Sequence, residues 1–233
     1  MMPARRALLF LPLLALTTRA SAEVRDIPVS NFDELQWDAF GDLAIEQTGR
    51  EGLTVDADPA VLAKVVIEVR QRRLRIGFTP GPLRPARPVR FRLQVADLNA
   101  VDLRGSGTIY IAALRTPRLA LRMAGGASVR LARLDAERFD MRLAGSGEVS
   151  VDAGRVLVQR VAIDGAGLYE GFGLESREAD ASIGGSGELH LWARERLAAS
   201  ITGSGNIVYR GRPIVTTAVN ASGSVRPDAA GDR

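Results

Sequence analysis

The chain has 233 residues, 31 Lys and Arg against 27 Asp and Glu, no cysteine, and only 5% aromatic residues. Absence of Cys excludes disulfides and thiolate metal sites, and the near balance of charge removes the electrostatic basis for general nucleic-acid binding. A core with so few aromatics has to be built mainly from Val, Leu, Ile and Ala.

Residues 1–22, MMPARRALLFLPLLALTTRASA, carry the three parts of a secretory leader. Arg5 and Arg6 form the charged start, Ala7 to Leu16 an apolar run too short to span a bilayer as a helix, and Ala20-Ser21-Ala22 a small-residue cleavage site. Cleavage after Ala22 predicts a periplasmic or secreted protein with 28 basic and 27 acidic residues. No later stretch is long and apolar enough to cross a membrane as a helix.

From residue 23 to residue 88 the pattern is irregular. Four or five short strands are predicted between turns rich in Gly, Asp and Arg, with a short helix at DPAVLAKV begun by Asp58 ahead of Pro59. They are expected to form opening coils and to cap an edge. TPGPLRPARP, with four prolines at 80, 82, 85 and 88, reads as an extended loop or a linker.

Residues 89–225 are periodic. Small-residue triplets begin at Gly105, Gly125, Gly145, Gly165, Gly185 and Gly203, with a degenerate copy at Ala221; the spacing is 20 residues, falling to 18 in the last two intervals. Apolar residues alternate on both sides in fixed register, as in Leu121/Met123 before a triplet and Val149/Val151 after one. Period two is a strand signal. Each unit is therefore strand, tight bend, strand and return, and it buries its apolar side only by stacking on its neighbours. The fold class predicted is all-β: a parallel β-solenoid with about 20 residues per coil. The structural bends are Gly105, Gly107, Gly125, Gly145, Gly147, Gly165, Gly167, Gly185, Gly187, Gly203 and Gly205. Glycine suits them through positive φ and close approach of coils, and Ser106, Ser146, Ser186 and Ser204 are expected to hydrogen-bond neighbouring backbone as a ladder. Residues 226–233 form a polar, flexible tail.

The repeated Gly-Ser-Gly with flanking alternation, and the closing ITGSGNIVYRGRP of residues 201–213, resemble the putative auto-transporter adhesin, head GIN domain family. The resemblance covers nearly all of the chain after the leader, and the triplets at Gly125 and Gly165 depart from it by lacking the Ser. It implies a single-stranded, right-handed parallel β-helix of the pectin-lyase kind without a recognised catalytic centre, and a role in cell adhesion; no cofactor is expected.

Stacking turns equal offsets into surface columns. Arg122 and Arg142 share one, and form a candidate paired site for carboxylate or sulfate groups of an envelope glycan; the plainer reading is solvated arginines, each near an acid. Glu148 and Glu188 share another, two rungs and about 9.5 Å apart, within the separation of inverting glycosidases, but Leu168 stands between them. His190, the only histidine, is expected to face solvent and lacks the companions of a metal site. Of the aromatics able to stack on sugars, Tyr110 and Trp192 are favoured, Tyr169 and Tyr209 are assigned to the core, and Trp37 and Phe172 remain open. The function expected is non-enzymatic adhesion or glycan binding, with an envelope glycan or surface protein as partner. The alternatives are a polysaccharide lyase or hydrolase on the same scaffold, and a purely structural envelope protein.

Overall fold

The computed structural model describes residues 23–229, so the predicted leader lies outside the described residues. The regular part consists of strands β8 (Ala100–Leu103), β9 (Thr108–Gly125), β10 (Ser128–Gly145), β11 (Glu148–Val151), β12 (Gly154–Gly165), β13 (Leu168–Ile183), β14 (Glu188–Ile201), β15 (Asn206–Arg210), β16 (Ile214–Val219) and β17 (Ser224–Pro227). Every pairing among them is parallel, and β10 lies on β9 at an offset of 20 residues, Val129 beside Ile109 and Met141 beside Leu121. The chain is a β-solenoid of about six turns with ~20 residues per turn.

Each turn has three sides, because the pairing of β10 with β9 skips Ala132 and Glu137 and so divides into arms 128–131, 133–136 and 138–145. We call these the first, second and third faces. Inward residues of all three meet in one core: Val129, Leu131, Leu134, Phe139, Met141 and Leu143 are all buried. The apolar pairs read from the repeat point inward as predicted. Among the described residues of the regular coils Thr116, Gln159 and Ser176 are buried polar side chains. Gln159, in register with Phe139, donates from Nε2 to the Tyr169 hydroxyl across the core, and burial pushes that hydroxyl's pKa above the ordinary tyrosine value.

The two glycines of a bend have different physical causes. Gly145 has φ of 126°, and a Cβ there lies 2.7 Å from the Gly125 carbonyl oxygen. Gly167 has no positive φ, but a Cβ there lies 2.2 Å from Leu143 Cδ2 of the coil below. The serine ladder does not form. The main-chain N–H groups of Ser186 and Ser204 already donate to the carbonyls of Gly165 and Gly185, and the serine side chains stand exposed.

The change of spacing from 20 to 18 is absorbed by two register shifts between β13 and β14, a large one at Gly171/Glu175 and a compensating one at Ser176/Glu178. Gly171 pairs with Leu191 but Glu175 pairs with Trp192, so Phe172, Gly173 and Leu174 bulge from the rung.

The opening is not a run of successive coils. Strands β2 (Glu34–Trp37) and β3 (Asp42–Gln47) form the rung that contacts β8 and β9, yet β6 (Arg73–Phe78) and β7 (Arg90–Val95) form the rung on its other side. After a first strand at the outer end, the chain thus lays down this inner rung, goes back out to the end, and returns between the two. Antiparallel strands close that end: β1 (Glu23–Ile27) and β4 (Gly52–Ala57) on the first face, β5 (Val65–Arg70) on the third. Helix α1 (Pro59–Leu62) follows Asp58 as predicted, but the Asp58 carboxylate caps nothing in the helix. It accepts instead from Ala86 N at 2.8 Å and Arg87 Nε at 3.0 Å, while Arg87 Nη2 reaches Asp56 at 2.8 Å. The proline-rich segment is therefore a loop pinned to the end cap, and strand pairing between β7 and β3 continues across it. At the other terminus, Arg226 and Pro227 belong to β17 and Asp228 accepts from Arg210 Nε at 2.7 Å, which holds the described part of the predicted tail on the last rung.

Asp33 ties three of these rungs, accepting from Arg72 Nη2 and Asn99 Nδ2, both at 3.0 Å. The Arg72 guanidinium holds its carboxyl below the usual carboxylate range, against the opposing effect of burial. A group depressed in the folded state contributes stability above its unfolded pKa, about 4, and that contribution is lost as pH falls through the folded value. We expect the melting temperature to drop on acidification below about pH 4, and Asp33→Asn to lower it at pH 7 while shallowing the acid slope, as read by thermal unfolding across pH.

Candidate binding site

The third face carries a groove of about 770 Å³. It follows from side-chain size along the columns. Ala120, Ala162, Ala198 and Ala218 provide a shallow floor, with Ser182 and Ser200 among them, and longer side chains rise at one end.

That end is basic. Arg142 lies directly beside Arg122 in the adjoining rung, and Arg138 beside Arg118. Two acids balance part of this charge: Asp140 pairs with Arg118 at 2.8 Å, and Asp180 with Arg160 at 3.1 Å. Asp102 is the register neighbour of Arg122, but its carboxylate is engaged by Arg104 at 3.1 Å. Among the described residues Arg122, Arg138 and Arg142 form no ion pair. Most other arginines of the regular coils do, as in Arg130 with Asp152 and Arg177 with Glu195. Rungs about 4.8 Å apart hold the Arg122 and Arg142 guanidinium groups close enough to engage one anion together, each with a forked set of donors that matches a carboxylate, sulfate or phosphate.

The structure therefore brings Arg122 and Arg142 together and, as in the plainer reading, places an acid, Asp102, beside Arg122, yet neither arginine forms an ion pair among the described residues. It leaves the predicted aromatics elsewhere. Tyr110 is exposed on the first face, and Trp192 is half-buried at a corner beside Arg210, its carbonyl accepting from Ser176 Oγ. Trp37 and Tyr169 are in the core, and Tyr209 packs against it.

His190 is less open than its outward position suggests. Its side chain is 18% exposed; Nδ1 lies 2.8 Å from Glu170, Nε2 lies 2.9 Å from Glu188, and Phe172 stacks on the ring at 4.9 Å. The bulge causes this by carrying Phe172 over the imidazole, with the Arg210 guanidinium 4.1 Å from the Phe172 centroid. Glu148, Leu168 and Glu188 do form one column, on the first face and away from the groove. Among the described residues no group of three or more His, Asp or Glu is placed to hold a metal ion, and no helix is long and apolar enough to cross a membrane.

Arg118, Arg138 and the small floor did not emerge from the sequence reading. Extending the arginine column by the 20- and 18-residue spacings reaches Ser182, Ser200 and Ala218, which is the signal that would have found the floor.

Stacked parallel rungs with three strand arms per turn define a β-solenoid. Residues 31–213 match the model of the family described as putative auto-transporter adhesin, head GIN domain, and the chain belongs to that family. Among solved structures it is similar to a putative adhesin from Bacteroides fragilis, with a TM-score of 0.86 and 21% identity over 90% of this chain and 98% of that one. A protein from Parabacteroides distasonis described as a putative lipid binding protein has a TM-score of 0.73 and 26% identity, covering 89% and 96%. A putative adhesin from Parabacteroides merdae has a TM-score of 0.71 and 20% identity, covering 89% and 96%. No curated protein matches the chain.

Proposed function

We propose that this is an exported, non-enzymatic binding protein of the bacterial cell envelope whose third face takes an acidic glycan. The observation that carries the reading is the pair Arg122 and Arg142, adjacent, exposed and without an ion pair among the described residues, at one end of the groove on that face. Like charges side by side on a sheet repel, and an anion shared between them relieves that repulsion. The long floor of alanine and serine beyond them suits a chain lying along the face. Export rests on the leader in residues 1–22, and adhesion on membership of the family.

A second reading, an anionic lipid headgroup, is favoured by the 26% identity to the protein described as lipid binding, since the same arginines fit a phosphate. Calorimetric titration of the mature protein with uronic-acid oligosaccharides, matched neutral oligosaccharides and vesicles of anionic phospholipid separates the two. We expect affinity for the acidic oligosaccharides, weakened about 100-fold in an Arg122→Ala/Arg142→Ala double variant, since each charge-assisted contact contributes about 1.5–3 kcal/mol. Equal affinity of the double variant rejects the site. Binding of vesicles alone transfers it to lipid, and release of new double bonds or reducing ends makes the protein an enzyme.

A further inference from the structure

The two ends of the solenoid are finished differently. At the opening end the outermost strands carry charges: Glu23, Arg25 and Asp26 in β1, Glu68 and Arg70 in β5. Such residues blunt an exposed strand edge, which otherwise recruits a further strand. At the closing end β17 is blunted in the same way by Arg226 and Pro227, but β16, with the sequence IVTTAV, holds no charge and no proline. Among the described residues β16 pairs with β14 alone. Ile214 is 76% exposed and Val219 39%, although Val219 stands in register with the fully buried Ile201.

The free edge has a definite pattern of donors and acceptors. Asn220 N donates to the Ile201 carbonyl of the preceding rung at 2.9 Å, and along a strand the main-chain groups of alternate residues point the same way. Val215, Thr217 and Val219 therefore aim their N–H and C=O groups at the open side. Their side chains turn toward the core, in register with the buried Leu197, Ala199 and Ile201. This set is symmetric about Thr217. A second copy turned end for end pairs antiparallel with Thr217 opposite Thr217 and Val215 opposite Val219, so the edge groups of all three residues meet partners and valine meets valine on the core side.

We propose that the chain forms a two-fold dimer through β16, closing end to closing end. A second copy is the partner that fits, because one strand supplies both halves of the match. Two-fold pairing is closed, and the charged strands of the opening end disfavour the head-to-tail stacking that would run on into a fibre. The pairing carries the third face from one copy into the other, with Thr216 and Ala218, which line the groove there, at the seam. The dimer does not depend on the anion assigned to that face.

Sedimentation of the mature protein at about 100 µM tests this. We expect a dimer, converted to a monomer by Thr217→Lys, which sets like charges against each other on the axis while circular dichroism keeps its β signal. Thr217→Cys gives a second measurement in a chain without cysteine. Facing Cα atoms about 5.5 Å apart are within disulfide reach, so oxidation links this variant as a dimer, whereas a cysteine in place of the exposed Val24 at the opening end stays unlinked. A monomeric wild-type protein overturns the proposal. So does a dimer that Thr217→Lys leaves intact or that Thr217→Cys fails to link, and so does an open-ended assembly.

Discussion

Gly145→Val is expected to lose about 3–5 kcal/mol of stability, read by denaturant unfolding. Two costs combine. A β-branched residue held at φ of 126° is strained by about 1–3 kcal/mol, and a Cβ placed 2.7 Å from the Gly125 carbonyl oxygen pushes the stacked coils apart for a comparable further cost. The carbonyl belongs to backbone and cannot swing aside as a side chain can. Arg142→Ala, three residues earlier on the same rung, changes stability by no more than about 0.5 kcal/mol, because that side chain is exposed and makes no ion pair. Equal unfolding midpoints for the two variants contradict the role assigned to the bends.

Trp37→Ala is expected to cost about 3–5 kcal/mol, with Trp37→Phe costing far less. Trp37 is fully buried where the first rungs meet, its ring edge-on to Phe91 at a centroid distance of 4.9 Å. Phe78 adjoins Phe91 at 6.4 Å, and Phe40 adjoins Phe78 at 4.7 Å, so much of the chain's small aromatic content is concentrated at this end. Here the coils close against antiparallel strands in place of another coil, and large rings fill a space that a repeating aliphatic stack does not match. The indole Nε1 has no hydrogen-bond partner, so phenylalanine removes an unpaired buried donor while keeping most of the ring. Thermal unfolding of both variants checks the order. Similar losses in the two make the indole, and not the filled volume, the source of stability.

The regular coils were legible because stacking converts sequence period into contact. Once Gly125, Gly145 and Gly165 recur every 20 residues with inward pairs such as Met141 and Leu143, few other arrangements bury those pairs. The opening was legible only as strands. Its order in space depends on β6 and β7 docking outside β2 and β3, a non-local choice that leaves no period and becomes visible only through pairs such as Trp37 beside Ile76. The serine ladder failed because the side chains of Ser106, Ser146, Ser186 and Ser204 stand exposed, while main-chain N–H groups alone tie the bends of successive coils.

The candidate site was readable to the same depth. Equal offsets put Arg122 beside Arg142, whereas their lack of acidic partners depends on Asp102 turning to Arg104 and Asp140 to Arg118. Those choices belong to side chains, not to spacing. The enclosure of His190 was hidden for a related reason: it depends on where the register slips, and the shift after Gly171 leaves Phe172 free to cover the ring.

The central claim is that the unpaired arginines of the third face receive an anion. The most direct measurement is a crystal structure of the mature protein bound to a uronic-acid oligosaccharide. The account predicts a carboxylate held between the guanidinium groups of Arg122 and Arg142, with the sugar chain running over Ala162 toward Ser182. An oligosaccharide seated on another face, with both arginines still facing only water, contradicts it.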